Sequence, residues 1–227
     1  MPATQIRRSL LLLASCALLG LSACTGDRPR PVFVVIESGD EAYEDANYEL
    51  AAAEYREAVT RRPAKWEARM GLAKALLSLG RPEEAREQAE LVYSIRPNDP
   101  EAIELLAHTM LEAGDAASME ALLRSRANDT GSADDWLMLG MLMAEAGDAD
   151  AAEVALTTAA TVDQGQTLKY QKALADFYLA VGDNAQALTR YRMALYIDPA
   201  DESTRQAIRS LGEIPGPTMA LKPREAL

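Results

Sequence analysis

The sequence predicts an all-α fold, a stack of helix–turn–helix units, on three observations. Gly80, Gly114, Gly147 and Gly182 recur at intervals of 34, 33 and 35 residues in the matching contexts SLGRPEEA, EAGDAASM, EAGDADAA and AVGDNAQA. Pro63 and Pro97 are 34 apart, and Pro199 lies three such intervals beyond Pro97. Apolar residues at helical spacing flank every one of the glycines. Self-similarity at such a period marks units that cannot bury an apolar face alone and must stack to do so.

Taken in order, the first unit shows only its second helix clearly. YELAAAEYREAVTRRP carries Ala51, Tyr55 and Ala58 on one face and ends at Pro63. The preceding VFVVIESGDEAYEDA lacks the first-helix pattern, so residues 32–36 are expected to be extended and residues 41–60 to form one long leading helix. In the units that follow, first helices present Leu72, Ala73 and Leu76; Leu106, Ala107 and Met110; Leu139, Gly140 and Met143; Leu174, Ala175 and Tyr178. Second helices present Ala85, Ala89 and Val92; Met119 and Leu123; Ala152, Leu156 and Ala159; Ala187, Tyr191 and Ala194. Small residues in these stripes let paired helices approach closely, and the glycine supplies the permissive backbone that ends each first helix. One second helix is irregular: Arg126 falls where a small residue is expected, so that helix should stop near it, with Ser132 and Asp135 opening the next as a capping box. Ala207, Ile208 and Leu211 fit a closing helix, since a stack must cover its last apolar face. EIPGPTMALKPREAL, with three prolines, reads as a flexible tail.

The stretch ALADFYLAVGDNAQALTRYRMALYIDP, residues 173–199, resembles the tetratricopeptide consensus almost throughout. The resemblance implies a right-handed solenoid of about four to five units with a C-terminal capping helix. The expected divisions are a lipoprotein signal peptide at 1–23, a lipidated N-terminus and linker at 24–39, the repeat domain with its capping helix at 40–211, and a proline-rich tail at 212–227.

The N-terminus carries a separate message. Arg7 and Arg8 precede an apolar run at residues 10–21, too short to span a bilayer, which needs roughly 20 apolar residues. A basic start, a short apolar run and small residues describe a secretory signal peptide. Leu21-Ser22-Ala23-Cys24 resembles a bacterial lipobox, which implies cleavage before Cys24 and its acylation. Cleavage after Ala17 is the alternative, but it leaves only residues 10–14 as the apolar run, fewer than the roughly 7 such segments need. With Cys16 discarded, Cys24 is the only cysteine left, and as an acylated residue it offers no thiol for a disulfide. Thr25, in place of the aspartate that favours inner-membrane retention in the lipoprotein sorting pattern, implies the periplasmic face of the outer membrane.

Charge narrows the partners. The formal net charge of −12 becomes −14 once Arg7 and Arg8 are removed. So acidic a chain repels phosphate backbones and anionic headgroups, which speaks against nucleic acid and leaves the lipid anchor as the sole membrane contact. No phosphate-cradling glycine loop or zincin motif occurs, and His108 is the single histidine, flanked by Glu104 and Glu112 on a solvated helix face. Neither a catalytic constellation nor a metal or cofactor site is expected.

The tetratricopeptide resemblance instead implies a groove lined by first helices. Its positions fall on Met70, Lys74, Leu77, Glu104, His108, Leu111, Leu137, Met141, Lys172, Asp176 and Leu179. Leu111 and Leu179 have an equal claim to packing beneath the next unit. Apolar patches among charges suit a helix or extended peptide from a partner protein. In architecture the chain resembles tetratricopeptide outer-membrane lipoproteins of the tight-adherence (Flp) pilus and the pilotins of type IV pili. That implies a non-catalytic scaffold that holds a secretin-type envelope component during pilus or secretion-system assembly. Other readings are an adaptor for cell-wall hydrolases or for an outer-membrane protein insertion complex, and an enzyme whose site the sequence does not display.

Overall fold

The computed structural model describes residues 29–225, so Cys24 and the whole N-terminal signal segment lie outside the described residues. Eleven helices and no strand occur among the described residues. They are α1 (Val32–Glu44), α2 (Tyr48–Arg61), α3 (Trp66–Ser78), α4 (Pro82–Ile95), α5 (Pro100–Glu112), α6 (Ala116–Thr130), α7 (Ala133–Glu145), α8 (Ala149–Val162), α9 (Leu168–Ala180), α10 (Asn184–Ile197) and α11 (Glu202–Ser210). Consecutive helices pair into five hairpins, and α11 closes the last against α10. The first helices α1, α3, α5, α7 and α9 also lie side by side, with no comparable pairing among the second helices. One face of the stack is therefore built from first helices alone.

Three of the hairpin turns share one local device. Gly114 takes a left-handed φ of 77°, and the Asp115 amide reaches back to the Met110 carbonyl at 2.9 Å, closing the first helix. Asp115 then accepts from the Ser118 amide at 3.1 Å and starts the second helix. Gly147-Asp148 and Gly182-Asp183 repeat the device.

The first unit corrects the expected extended segment and single long helix. Residues 32–36 are helical, and α1 and α2 form a complete hairpin. Ala46 stands 34 residues before Gly80 and takes the left-handed φ of 57° itself, with Asn47 capping α2 through the Leu50 amide. Left-handed backbone costs a residue with a Cβ about 1–2 kcal/mol, so a search for glycine passes over this turn. The β-branched run at the start of α1 favours strand by intrinsic preference. Packing overrides it, because Val35, Gly39 and Ala42 form a buried stripe at i, i+4 and i+7. The helical array thus begins at Val32, within the segment expected to be linker.

The junctions between hairpins follow the proline register. Pro63, Pro97, residue 131, residue 165 and Pro199 are evenly spaced, and the two missing prolines are Gly131 and Gly165, with φ of 63° and 67°. The α6 expectation is corrected accordingly. The helix continues past Arg126 to Thr130 because Ala127, fully buried, supplies the small closing residue. Ser132 does cap α7, through the Asp134 amide at 3.2 Å, but Asp135 does not complete a capping box. Its carboxylate instead accepts from Arg126 Nε at 2.9 Å and Thr130 Oγ1 at 2.6 Å, clamping the turn.

Nor does the tail hang free. Arg192 Nε donates to the Met219 carbonyl at 2.8 Å, and the Leu221 amide donates to the Arg192 carbonyl at 3.0 Å. Pro215 and Pro223 are buried, and Pro223 lies so close over Gly165 that a Cβ there would sit 2.5 Å from its ring. Glu225 meets the buried Arg190 at 2.5 Å and Gln171 Nε2 at 3.2 Å. The tail thereby straps α9 and α10 to the turn before α9, where α8 and α9 meet less extensively than neighbouring hairpins do at the other junctions.

Leu174 is fully buried within the last hairpin. Leu174→Ala should cost about 2–5 kcal/mol, and hydrogen exchange should rise first across residues 168–211, since repeats contact only their neighbours. Unchanged exchange there would contradict this packing. Burial pushes the Glu225 carboxyl up, but hydrogen bonds from Arg190 and Gln171 outweigh it and hold the group below its ordinary value of 4.5. The strap therefore contributes fully above that pH and is lost as pH falls through the lowered value. Glu225→Ala should cost about 1.5–3 kcal/mol at neutral pH. That is less than a sealed ion pair would lose, because a peeled tail re-exposes Arg190 to water. Thermal melts of wild type and variant should converge on acidification; a gap that persists at low pH would exclude the ion pair as its source.

Candidate functional site

Four depressions follow one another along the first-helix face, and shared residues join them into a single strip. The first, of about 370 Å³, lies between α1, α2 and α3 and is walled by Asp40, Glu44, Tyr55, Trp66, Glu67 and Met70. Lys74 links it to the second, of about 250 Å³, which holds Leu77, Glu101, Glu104 and His108. Glu104 and His108 continue into the third, of about 320 Å³, with Asp134, Met138 and Glu145. Leu137 and Met141 continue into the fourth and largest, of about 810 Å³, between α7 and α9. That last depression is chiefly apolar, and Ala144, Ala173 and Ala180 leave its space unfilled.

Most of the groove residues expected from the sequence are brought together in this strip. Met141 is 58% exposed and half-buried Leu137 lies one turn before it, so the two form an accessible apolar ridge. Met70 lines the first depression as expected but is only 5% exposed, so it belongs to the core that floors the groove. Leu111, half-buried against the core, and Leu179, 38% exposed, line none of the four depressions. The sequence reading passed over Leu168 and Phe177, which wall the largest depression. The available signal was the glycine at 165 in the proline register, which marks the α8–α9 junction as different from the others.

The lysines and two of the aspartates are already engaged. Lys74 bridges to Glu101 at 2.5 Å, Lys169 pairs with Asp134, and Lys172 meets Ser203 and lies 3.6 Å from Asp201. Bonds from Ser203 and Thr204 first, with Lys172 adding its charge, hold the Asp201 carboxyl well below the usual range. Asp176 accepts from Tyr191 Oη at 2.5 Å, and Asp40 accepts from Tyr55 Oη at 2.6 Å. These two ties sit four repeats apart in register and brace the last and first hairpins alike. Burial and the adjacent carboxylates push both phenols far up, so neither is an acid near neutral pH. Burial and Glu153 likewise raise Tyr178 to about 12. His108 Nε2 lies 4.0 Å from Glu104 and reaches no second carboxylate. Among the described residues no group of three His, Cys, Asp or Glu is placed to hold a metal ion, and no helix is long and apolar enough to cross a membrane.

Residues 36–100 match the tetratricopeptide repeat family. No curated protein sequence is similar enough to count as a relative. Solved structures with the same chain path include TTC0263, a thermophilic tetratricopeptide protein of Thermus thermophilus, at 23% identity and a TM-score of 0.53, covering 80% of this chain and 98% of that one. A MamA protein is similar at 17% identity and a TM-score of 0.54, over 82% and 98% of the two chains. Pseudomonas aeruginosa pilF is similar at 14% identity and a TM-score of 0.54, over 80% and 82%. At these identities the likeness is one of fold. Five hairpins at the repeat spacing, a family match over the first two and these shared chain paths make the fold an all-α tetratricopeptide solenoid.

Proposed function

We propose that the chain is a non-catalytic, lipid-anchored scaffold that holds a segment of another envelope protein at the periplasmic face of the outer membrane. Its service is to the assembly of a pilus or secretion system. The observation that carries the binding role is the continuous first-helix groove, with an exposed apolar ridge at Leu137 and Met141 beside an unfilled depression of about 810 Å³. Concave, mainly apolar surfaces with a few placed polar groups are where proteins take ligands, and a strip this long suits a peptide segment. The flexible thioether of Met141 adapts to a partner's shape. The anchor rests on Leu21-Ser22-Ala23-Cys24 behind a short apolar run. The assembly role rests on architecture: a lipobox and a short stack of repeats, on a fold that pilF of Pseudomonas aeruginosa shares.

Two measurements test this. Cys24→Ser should abolish acylation, accumulate uncleaved precursor and release the protein from detergent-dependent extraction. A variant still cleaved and still membrane-bound would overturn the anchor. Leu137→Ser combined with Met141→Ser should leave helicity intact, since neither side chain is fully buried. Its affinity for partners captured from solubilised envelopes should fall more than tenfold, about 1.4 kcal/mol. Undiminished affinity in a folded variant would place binding elsewhere.

A further inference from the structure

We propose that the segment bound in this groove is basic: apolar side chains fill the α7–α9 depression, and lysines or arginines run along the rest of the strip. This deepens the groove reading above and rests on it. Nine carboxylates line the four depressions against three lysines. All three lysines are committed, Lys74 to Glu101, Lys169 to Asp134 and Lys172 to Asp201. Glu67 has Lys65 at 2.8 Å. The remaining five, Asp40, Glu44, Glu104, Glu145 and Asp176, have no lysine or arginine partner among the described residues; Glu104 has only His108, at 4.0 Å.

Covering five carboxylates with a neutral segment would strip their water and return nothing. An acidic segment would fare worse, because the lysines it needs must first be taken from existing pairs, and like charges then face each other across the interface. A cationic segment replaces water with charge-assisted bonds and breaks no pair. Apolar and acidic surface are also unevenly placed. The apolar depression lies at α7–α9, whereas four of the five carboxylates without a lysine or arginine lie in the three depressions before it. The complementary segment is accordingly two-part, with apolar anchors at one end and basic residues at the other.

A phage-displayed library of random peptides, selected on the full chain in detergent at low salt and counter-selected on the Leu137→Ser, Met141→Ser variant, tests this. Groove-dependent peptides should be net positive with clustered apolar residues. Changing their lysines and arginines to glutamine should weaken binding about tenfold or more, and added salt should weaken it progressively. Glu104→Gln with Glu145→Gln should weaken binding by roughly threefold or more. Glu83→Gln with Glu87→Gln, on the outer helix α4, should leave it unchanged, which separates the groove from the general acidity of the chain. Groove-dependent peptides that are neutral or acidic would overturn the basic occupant and leave the groove reading standing. If no peptide depends on Leu137 and Met141, the groove reading itself falls. A dimer that sedimentation detects and the double variant dissolves would assign the groove to a second copy and overturn the proposal.

Discussion

Close approach within each hairpin is the constraint on which the rest depends. Gly39, Ala73, Ala107, Gly140 and Ala175 occupy one register of the first helices, and all are buried. A Cβ added to Gly39 would meet the Tyr55 ring at 2.8 Å, and one added to Gly140 would meet Leu156 at 2.6 Å. Only small residues admit the large side chain of the second helix at those points. Because every unit solves the problem at the same position, successive units take the same geometry and the first helices align on one face. The groove is a by-product of that alignment, and its floor is the outer edge of the core, which is why Met70 belongs to both.

The polar groups divide between structure and surface. The Tyr55–Asp40 and Tyr191–Asp176 ties cross the first and last of the five hairpins among the described residues. Each phenol keeps its proton and donates to a carboxylate that also edges the groove. The lysines of the groove are likewise paired with carboxylates of neighbouring helices, so the strip retains excess negative charge. Exposed pairs of this kind contribute little stability each. Their larger effect is on which charges remain for a partner.

The two ends of the array are handled differently from its middle. At the start, α1 opens with a β-branched run and is held helical by packing against α2 and α3. At the finish, α11 closes the stack and the tail turns back to lay Pro223 over Gly165 and Glu225 against Arg190. The strap reaches the turn before α9, close to the junction beside the widest part of the groove. A solenoid passes strain mainly to nearest neighbours, so bracing this junction fixes the wall formed by α9.

The period, the two apolar stripes of each unit and the glycine–aspartate turns were all legible in the sequence, because they depend on spacing and on single-residue backbone preferences. That information is local, and it placed Leu174, Tyr191 and Ala194 in the core. Most of the groove was legible too, since a repeating register puts Lys74, His108, Leu137 and Met141 on one face. What the sequence left undecided depended on neighbours distant in the chain. Ala46 takes a left-handed turn although exposed, because the hairpin it joins is held closed by packing, and the valines at the start of α1 accept a helix because Val35, Gly39 and Ala42 are buried there. Asp135 is the exception: Arg126 and Thr130, nine and five residues before it, take its carboxylate from the expected cap once α6 runs on to Thr130. The proline-rich tail is ordered by Arg190 and Gly165, both more than 30 residues before Glu225, and no local pattern records that meeting. Likewise, lysines and carboxylates could be counted in the sequence, but only the tertiary structure pairs them across helices and leaves five carboxylates facing the groove without a lysine or arginine.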